Sequence, residues 1–210
     1  MRTGGIVLAG GRSTRMGEPK ATLPWHGTTL VDHVSRILRA AVDGGPVVVV
    51  VAPGQSLPPL HAAIRTTTDE HEGRGPLEAL AAGMRALAGD VDVVFVSSTD
   101  APFLHPVFVR RVLAALQPGI DLVAPAAHGH RHPLAAAYRM TLLDLIGTRL
   151  AAGERRLAPL LDLPGTRILD VGELLADPAL RAADPDLRSL VNANDRATYE
   201  AALAADSAER

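Results

Sequence analysis

Short, uninterrupted apolar runs alternate along the chain with longer stretches in which apolar positions recur every three or four residues. Gly5 to Ala9, Pro46 to Ala52, Val91 to Ser98 and Asp121 to Pro125 are rich in β-branched residues and lack polar alternation, which predicts strands covered on both faces. Ile64 to Thr67 is a weaker fifth. Between them, Leu30, Val31, Val34, Ile37, Leu38 and Ala41 recur at helical spacing, as do Leu77, Leu80, Ala81, Met84 and Leu87. Both stretches are expected to be crossover helices. Pro76 near the first turn and Gly89 past the end of the second fix its limits.

After Pro125 the pattern loosens. Pro133 to Tyr138 suits another strand, and Thr141 to Ala152, Glu154 to Leu161 and Asp195 to Ala205 suit helices. The proline-containing stretch Leu174 to Leu187 is expected to be a surface excursion. Strands alternating with helices imply an α/β fold around a mostly parallel sheet. A length of 210 residues fits one domain, residues 1–210, with enough chain for a large core.

Composition narrows the partners. Apolar residues make up 47% and charged ones 21%, as in an ordinary folded domain. The formal charge of -2 gives no global positive field, so neither nucleic acid nor a membrane surface is expected as a partner. Phosphate binding would have to be local. With no cysteine there are no disulfides, thiolate metal sites or cysteine nucleophiles. Met1 to Ala9 lacks the basic and long apolar regions of a signal peptide, and no apolar stretch has membrane-spanning length, so a cytoplasmic location is expected.

The richest chemistry lies in Leu8 to Lys20, LAGGRSTRMGEPK, where the first strand enters a loop holding Gly10, Gly11 and Gly17. Small residues let the backbone approach a phosphate and aim N–H groups at its oxygens. Arg12, Arg15 and Lys20 add charge, and Ser13 and Thr14 add hydroxyl donors. The loop is neither a Walker loop nor a Gly-x-Gly-x-x-Gly dinucleotide fingerprint.

Ser97-Ser98-Thr99-Asp100-Ala101-Pro102 sits at the carboxyl end of the Val91 strand, the edge where ligands of open α/β sheets bind. One carboxylate there suits magnesium, whose other ligands are waters and substrate phosphates. Asp100 is thus the candidate metal ligand, with capping of the next helix as the alternative. Asp69 stands shortly before Gly75-Pro76-Leu77; it is either a plain loop aspartate or a nucleotide contact, with Glu70 as an alternative ligand. Arg155 and Arg156 fit a solvated helix start, and Asn194 and Asp195 fit helix capping. His128, His130 and His132 alternate, but Gly129 and Pro133 argue against a regular strand and against a zinc site. Ser97 and Ser98 lack a glycine elbow, which weighs against a hydrolase.

Leu-Ala-Gly-Gly, then Arg-Ser-x-Arg-Met-Gly and a lysine three residues after Gly17, resembles the signature of the sugar-nucleotide and cofactor nucleotidyltransferases. Gly75-Pro76-Leu77 and Gly153-Glu154-Arg155-Arg156 are similar to segments of the molybdenum cofactor guanylyltransferases among them. The motifs run in order from Ile6 to about Tyr199.

The resemblance implies a Rossmann-like three-layer α/β/α sandwich. Its nucleotide half would cover about 1–105 and its acceptor half about 106–210. It implies GTP contacts at Leu8, Ala9, Gly10, Gly11, Arg12, Ser13, Lys20, Asp69, Gly75, Pro76, Leu77 and Asp100. Arg15, Lys20 and Asp100 would be catalytic, with Mg2+ on Asp100 and Mn2+ able to substitute. His132, Arg155, Arg156, Asn192 and Asn194 would face the acceptor, molybdopterin. Transient contact with other cofactor-biosynthesis proteins or acceptor molybdoenzymes is also implied.

Two departures stand out. Val51-Ala52-Pro53 replaces an expected asparagine, and Gly172 to Ser189 is long. A cytidylyltransferase on the same pterin, a guanylyltransferase on another phosphorylated small molecule such as phospholactate, and a non-catalytic nucleotide-binding regulator are the rival readings. Gly11 weighs against the first, whose members usually carry Leu-Ala-Ala-Gly.

Overall fold

The structure, a computed structural model, describes residues 1–10, 19–69 and 75–209, side chains of 206–209 apart. In chain order, β1 (Thr3–Leu8) is followed by the short hairpin β2 (Pro24–Trp25) and β3 (Thr28–Thr29), then α1 (Leu30–Ala41), β4 (Val47–Val51) and β5 (Ile64–Thr68). Next come α2 (Pro76–Ala86), β6 (Val93–Ser98), α3 (Pro106–Ala114), β7 (Leu122–Ala127), β8 (His130–Arg131) and β9 (Ala135–Arg139). The chain ends with α4 (Leu143–Ala151), β10 (Thr166–Leu169), α5 (Val171–Leu175), α6 (Pro178–Ala183) and α7 (Arg196–Glu209).

The main sheet runs β10-β7-β9-β6-β1-β4-β5, with β8 paired to β7. All neighbours along that path are parallel except β9, which is antiparallel to both β6 and β7. Side-chain alternation sorts the strands between two cores. Val7, Val49, Val93 and Phe95 pack with α1 and α3 on one face. Ile6, Leu8, Val48, Val50, Val94 and Val96 pack with α2 and α4 on the other. Sheet and flanking helices therefore make the three-layer sandwich. The five valines of β4 are all buried, each stabilising the fold by roughly 1.5–3 kcal/mol, which explains a strand without polar alternation.

Two glycines bring the layers close to β1. A Cβ on Gly5 would lie 2.5 Å from Leu38 Cγ of α1, and one on Gly83 of α2 would lie 2.7 Å from Ile6 Cγ2. Both crossover helices thus seat directly on the strand that feeds the glycine loop.

Two expectations fail. Leu174 to Leu187 is not a surface excursion, because Leu174, Leu180 and Leu187 are buried in the core beside α3. Asp170 caps α5 with a capping box, and Asp177 caps α6 ahead of Pro178. Glu154 to Leu161 is not an α-helix: Gly153 takes φ +89° and only Ala158–Asp162 coils, as a 3-10 helix around Pro159. His128 has φ +53° at the tip of the β7–β8 hairpin, so the alternating histidines do not share a strand face. Among the described residues, no helix is long and apolar enough to cross a membrane.

Candidate functional site

From β1 the chain crosses by α1 to β4 on one side, while β6 lies on the other, so the strand order reverses between β1 and β6. The crevice at the carboxyl ends of strands at such a reversal is the expected ligand position. A cavity of about 480 Å³ opens there, in the range of small-molecule sites. Leu8, Ala9 and Gly10 enter it from β1, Lys20 from the following turn, and Ala52 and Asp69 from the ends of β4 and β5. Gly75, Pro76 and Ala79 come from the start of α2, Ser98, Thr99 and Asp100 from the end of β6, and Leu134, Asn192 and Asn194 close the far wall.

Local hydrogen bonds explain why these residues converge. Leu8 pairs in register with Ser98, and both the backbone N–H and the hydroxyl of Thr99 donate to the Leu8 carbonyl, at 3.2 and 3.0 Å. That clamps the tip of β6 to the tip of β1 and puts Asp100 in the same crevice as Ala9 and Gly10. Lys20 Nζ donates to Asp100 Oδ2 at 2.5 Å and lies 3.4 Å from Asn194 Oδ1. The Asp100 side chain is only 13% exposed, and its other oxygen, Oδ1, is buried with no hydrogen-bond partner among the described residues. Ala193 N–H donates to the Asp100 carbonyl at 2.8 Å, tying the Asn192–Asn194 segment to the same strand tip. A partly buried carboxylate with one oxygen on an ammonium and the other unpartnered suits a small divalent cation that keeps most of its waters.

Gly10 sits so close to the end of β4 that a Cβ would lie 3.2 Å from Ala52 N. Gln55 bridges this gap: its Nε2 donates to the Ala9 carbonyl at 3.0 Å, and its Oε1 accepts from Ala52 N–H at 3.1 Å. At the opposite wall Gly75 takes φ +89°, a left-handed turn that starts α2, and Asp69 is set by its N–H donating to the Val51 carbonyl.

Of the residues singled out in the sequence, the cavity thus gathers Leu8, Ala9, Gly10, Lys20, Asp69, Gly75, Pro76, Asp100, Asn192 and Asn194. Leu77 is buried behind Pro76 in the core. His132 stands outside the cavity with Nε2 3.1 Å from the Ala127 carbonyl, and burial holds its pKa below the ordinary histidine value. Arg155 and Arg156 are not part of the wall either: the Arg155 guanidinium donates to the Leu150 and Glu154 carbonyls, and Arg156 is exposed. Gly11, Arg12, Ser13, Thr14, Arg15, Gly17 and Glu70 lie outside the described residues. Sequence reasoning missed Ala52, Ala79, Ser98, Thr99 and Leu134 in the wall and Gln55 behind it. Thr99 stood inside the Ser97–Pro102 segment and could have been found there, whereas a lone glutamine in a loop carries no signal.

The mostly parallel sheet between two helical layers, with its crevice at the strand tips, makes this a Rossmann-like α/β fold. The chain superposes with a TM-score of 0.73 on the crystal structure of molybdopterin-guanine dinucleotide biosynthesis protein A from Archaeoglobus fulgidus, at 22% identity over 98% of this chain and 99% of that one. A Mycobacterium tuberculosis H37Rv protein crystallised with manganese has the same fold, with a TM-score of 0.56 and 17% identity over 81% of this chain and 88% of that one.

Residues 5–167 match the model of the MobA-like NTP transferase domain. A protein of Mycobacterium tuberculosis strain H37Rv, named a probable molybdenum cofactor guanylyltransferase, is 40% identical over 203 residues, 95% of this chain and 92% of its own length. The chain belongs to the MobA-like NTP transferase family, and is a nucleotidyltransferase.

Proposed function

We propose that the protein is a molybdenum cofactor guanylyltransferase: it transfers GMP from GTP to the terminal phosphate of molybdopterin, giving the guanine dinucleotide cofactor and pyrophosphate. The observation that carries this reading is the meeting of the Ala9–Gly10 corner, Asp69 with the start of α2, and the Lys20–Asp100 pair in one crevice. The halves of the chain, about 1–105 for the nucleotide and about 106–210 for the acceptor, would meet across it.

The chain's own residues do three things. Asp69, in the crevice wall, offers a carboxylate that can accept from guanine N1–H and the 2-amino group. Lys20 supplies a cation for the triphosphate, and the glycine loop with Arg15 would supply the remaining donors. Asp100, through the buried Oδ1 that has no partner among the described residues, would hold Mg2+, with Mn2+ able to replace it. The ion would neutralise charge on the phosphate oxygens, leaving the enzyme to position groups rather than move protons. An acceptor phosphate is already an anionic nucleophile. Asn192 and Asn194 would meet it at the far wall. Transient contact with cofactor-biosynthesis proteins or recipient molybdoenzymes would deliver and remove the pterin, in the cytoplasm.

The deciding experiment follows pyrophosphate release with Mg2+, molybdopterin and GTP, CTP or ATP in turn. Release with GTP well above the other two is expected. Equal rates would remove the base assignment, and no acceptor-dependent release with any nucleotide would remove the transferase.

A further inference from the structure

The two arginines at the end of α4 look equivalent in sequence and are opposite in space. The Arg156 side chain is 78% exposed, and its Nε is 3.5 Å from Glu154 Oε1. Arg155 Nη1 instead donates to two carbonyls, Leu150 at 2.9 Å and Glu154 at 2.8 Å, at the carboxyl end of α4 where a cation is favoured. Glu154 braces the same turn: its Oε1 accepts from the backbone N–H of Arg155 and of Arg156, both at 2.9 Å. The backbone bonds from Arg156 and Arg155 hold the Glu154 carboxyl below the ordinary carboxylate range, so the brace is in place at neutral pH.

This turn has a second surface. The Arg155 carbonyl accepts from Leu77 N–H at 3.2 Å, one of the first N–H groups of α2. Gly75, just before α2, carries no side-chain cap, and a Cβ there would lie 2.6 Å from the Arg155 oxygen. The oxygen therefore rests on Gly75 while capping the helix it begins, and Gly75 and Pro76 are wall residues of the crevice.

We propose that Arg155 is a positioning residue of the nucleotide subsite rather than an acceptor contact: its guanidinium locks the end of α4 so that its carbonyl oxygen sets Gly75, Pro76 and the start of α2. The inference rests on the guanylyltransferase reading and assigns one residue of the acceptor half to the donor's site. It also explains the glycine at 75, since any side chain there would push on the oxygen and strain a left-handed backbone.

The test measures GTP affinity by calorimetry with Mg2+ and no acceptor, then KM for GTP and for molybdopterin, in the wild type, Arg155→Ala and Arg155→Lys. Arg155→Ala is expected to weaken GTP binding about tenfold and to leave the molybdopterin KM within about twofold. Arg155→Lys should recover most of the loss, because an ammonium can donate to the same two carbonyls. A raised molybdopterin KM with unchanged GTP affinity would make Arg155 an acceptor contact and overturn the proposal; so would an equal rise in both, the sign of general loosening. If Arg155→Ala does not fold, Gly75→Ala probes the same junction: loss of GTP affinity with acceptor KM kept supports it, and retained GTP affinity overturns it. A wild type that binds no GTP would instead defeat the guanylyltransferase reading, and this inference with it.

Discussion

Lys20, in a turn that follows β1, and Asp100, just past the tip of β6, are 80 residues apart in sequence and meet at 2.5 Å. The pair leaves Asp100 with one oxygen engaged and one buried without a partner among the described residues. Its chemistry is the most direct place to test the site.

Asp100→Ala should lower turnover at least about a hundredfold, since removing one preorganised charge-stabilising group costs that order. The fold should persist, because the strand tip is held by backbone bonds from Thr99 and Ala193 that do not use the carboxylate. Chelation of divalent ions should silence the wild type, and either Mg2+ or Mn2+ should restore it. Pyrophosphate release beside a thermal melt checks both; full activity in the variant or in chelator would strip Asp100 of the metal role.

Asp69→Asn replaces a double acceptor for guanine by an amide with one acceptor and one donor group. The ratio of kcat/KM for GTP over ATP should fall about tenfold, the scale of a charged hydrogen bond. Competition between the two nucleotides measures it, and an unchanged ratio would place base recognition elsewhere.

Gly5→Ala would set a methyl 2.6 Å or less from Leu38, on the face where α1 seats on β1. Overpacking of this kind costs about 1–3 kcal/mol. Adding Leu38→Ala should cost less in that background than in the wild type, a coupling expected only of touching residues. Urea unfolding of the four proteins decides it; strict additivity would contradict the close packing.

Asp32 on α1 is buried, and burial alone would raise its pKa. The Thr28 hydroxyl at 2.7 Å, His61 N–H at 2.8 Å and Arg36 Nε at 2.6 Å outweigh that and hold it below the ordinary value. A folded pKa below the unfolded one means the stabilisation is complete above the unfolded value, about 3.9, and fades as pH falls through the folded value. Asp32→Asn should therefore cost about 1–3 kcal/mol at pH 7 and progressively less in acid. Unfolding curves from pH 7 to pH 3 test the sign; a gap that widened in acid would refute it.

What the sequence made legible follows from where side chains alone decide. The valine run of β4 and the Pro76–Gly89 frame of α2 were readable because burial on both faces and helix ends leave residue-level marks. The antiparallel direction of β9 left none, since an alanine-rich strand covered on both faces reads the same either way. The five- and six-residue helices α5 and α6 fall below any periodic window, so their caps at Asp170 and Asp177 were the only trace. In the crevice, Lys20 and Asp100 were found from chemistry and the edge rule. The carbonyl of Arg155, the N–H of Ala193 and the bridge by Gln55 were not, because contacts made to or by backbone have no residue type to announce them.

Every strand of the sheet is complete by Leu169, yet the far wall at Asn192 and Asn194, and the bond from Ala193 that fastens it, come more than twenty residues later. A chain ending after Leu169 would lack that wall and also Leu174, Leu180, Leu187 and Tyr199 of the core beside α3, so the last stretch of polypeptide closes the catalytic chamber and completes one of the two cores together.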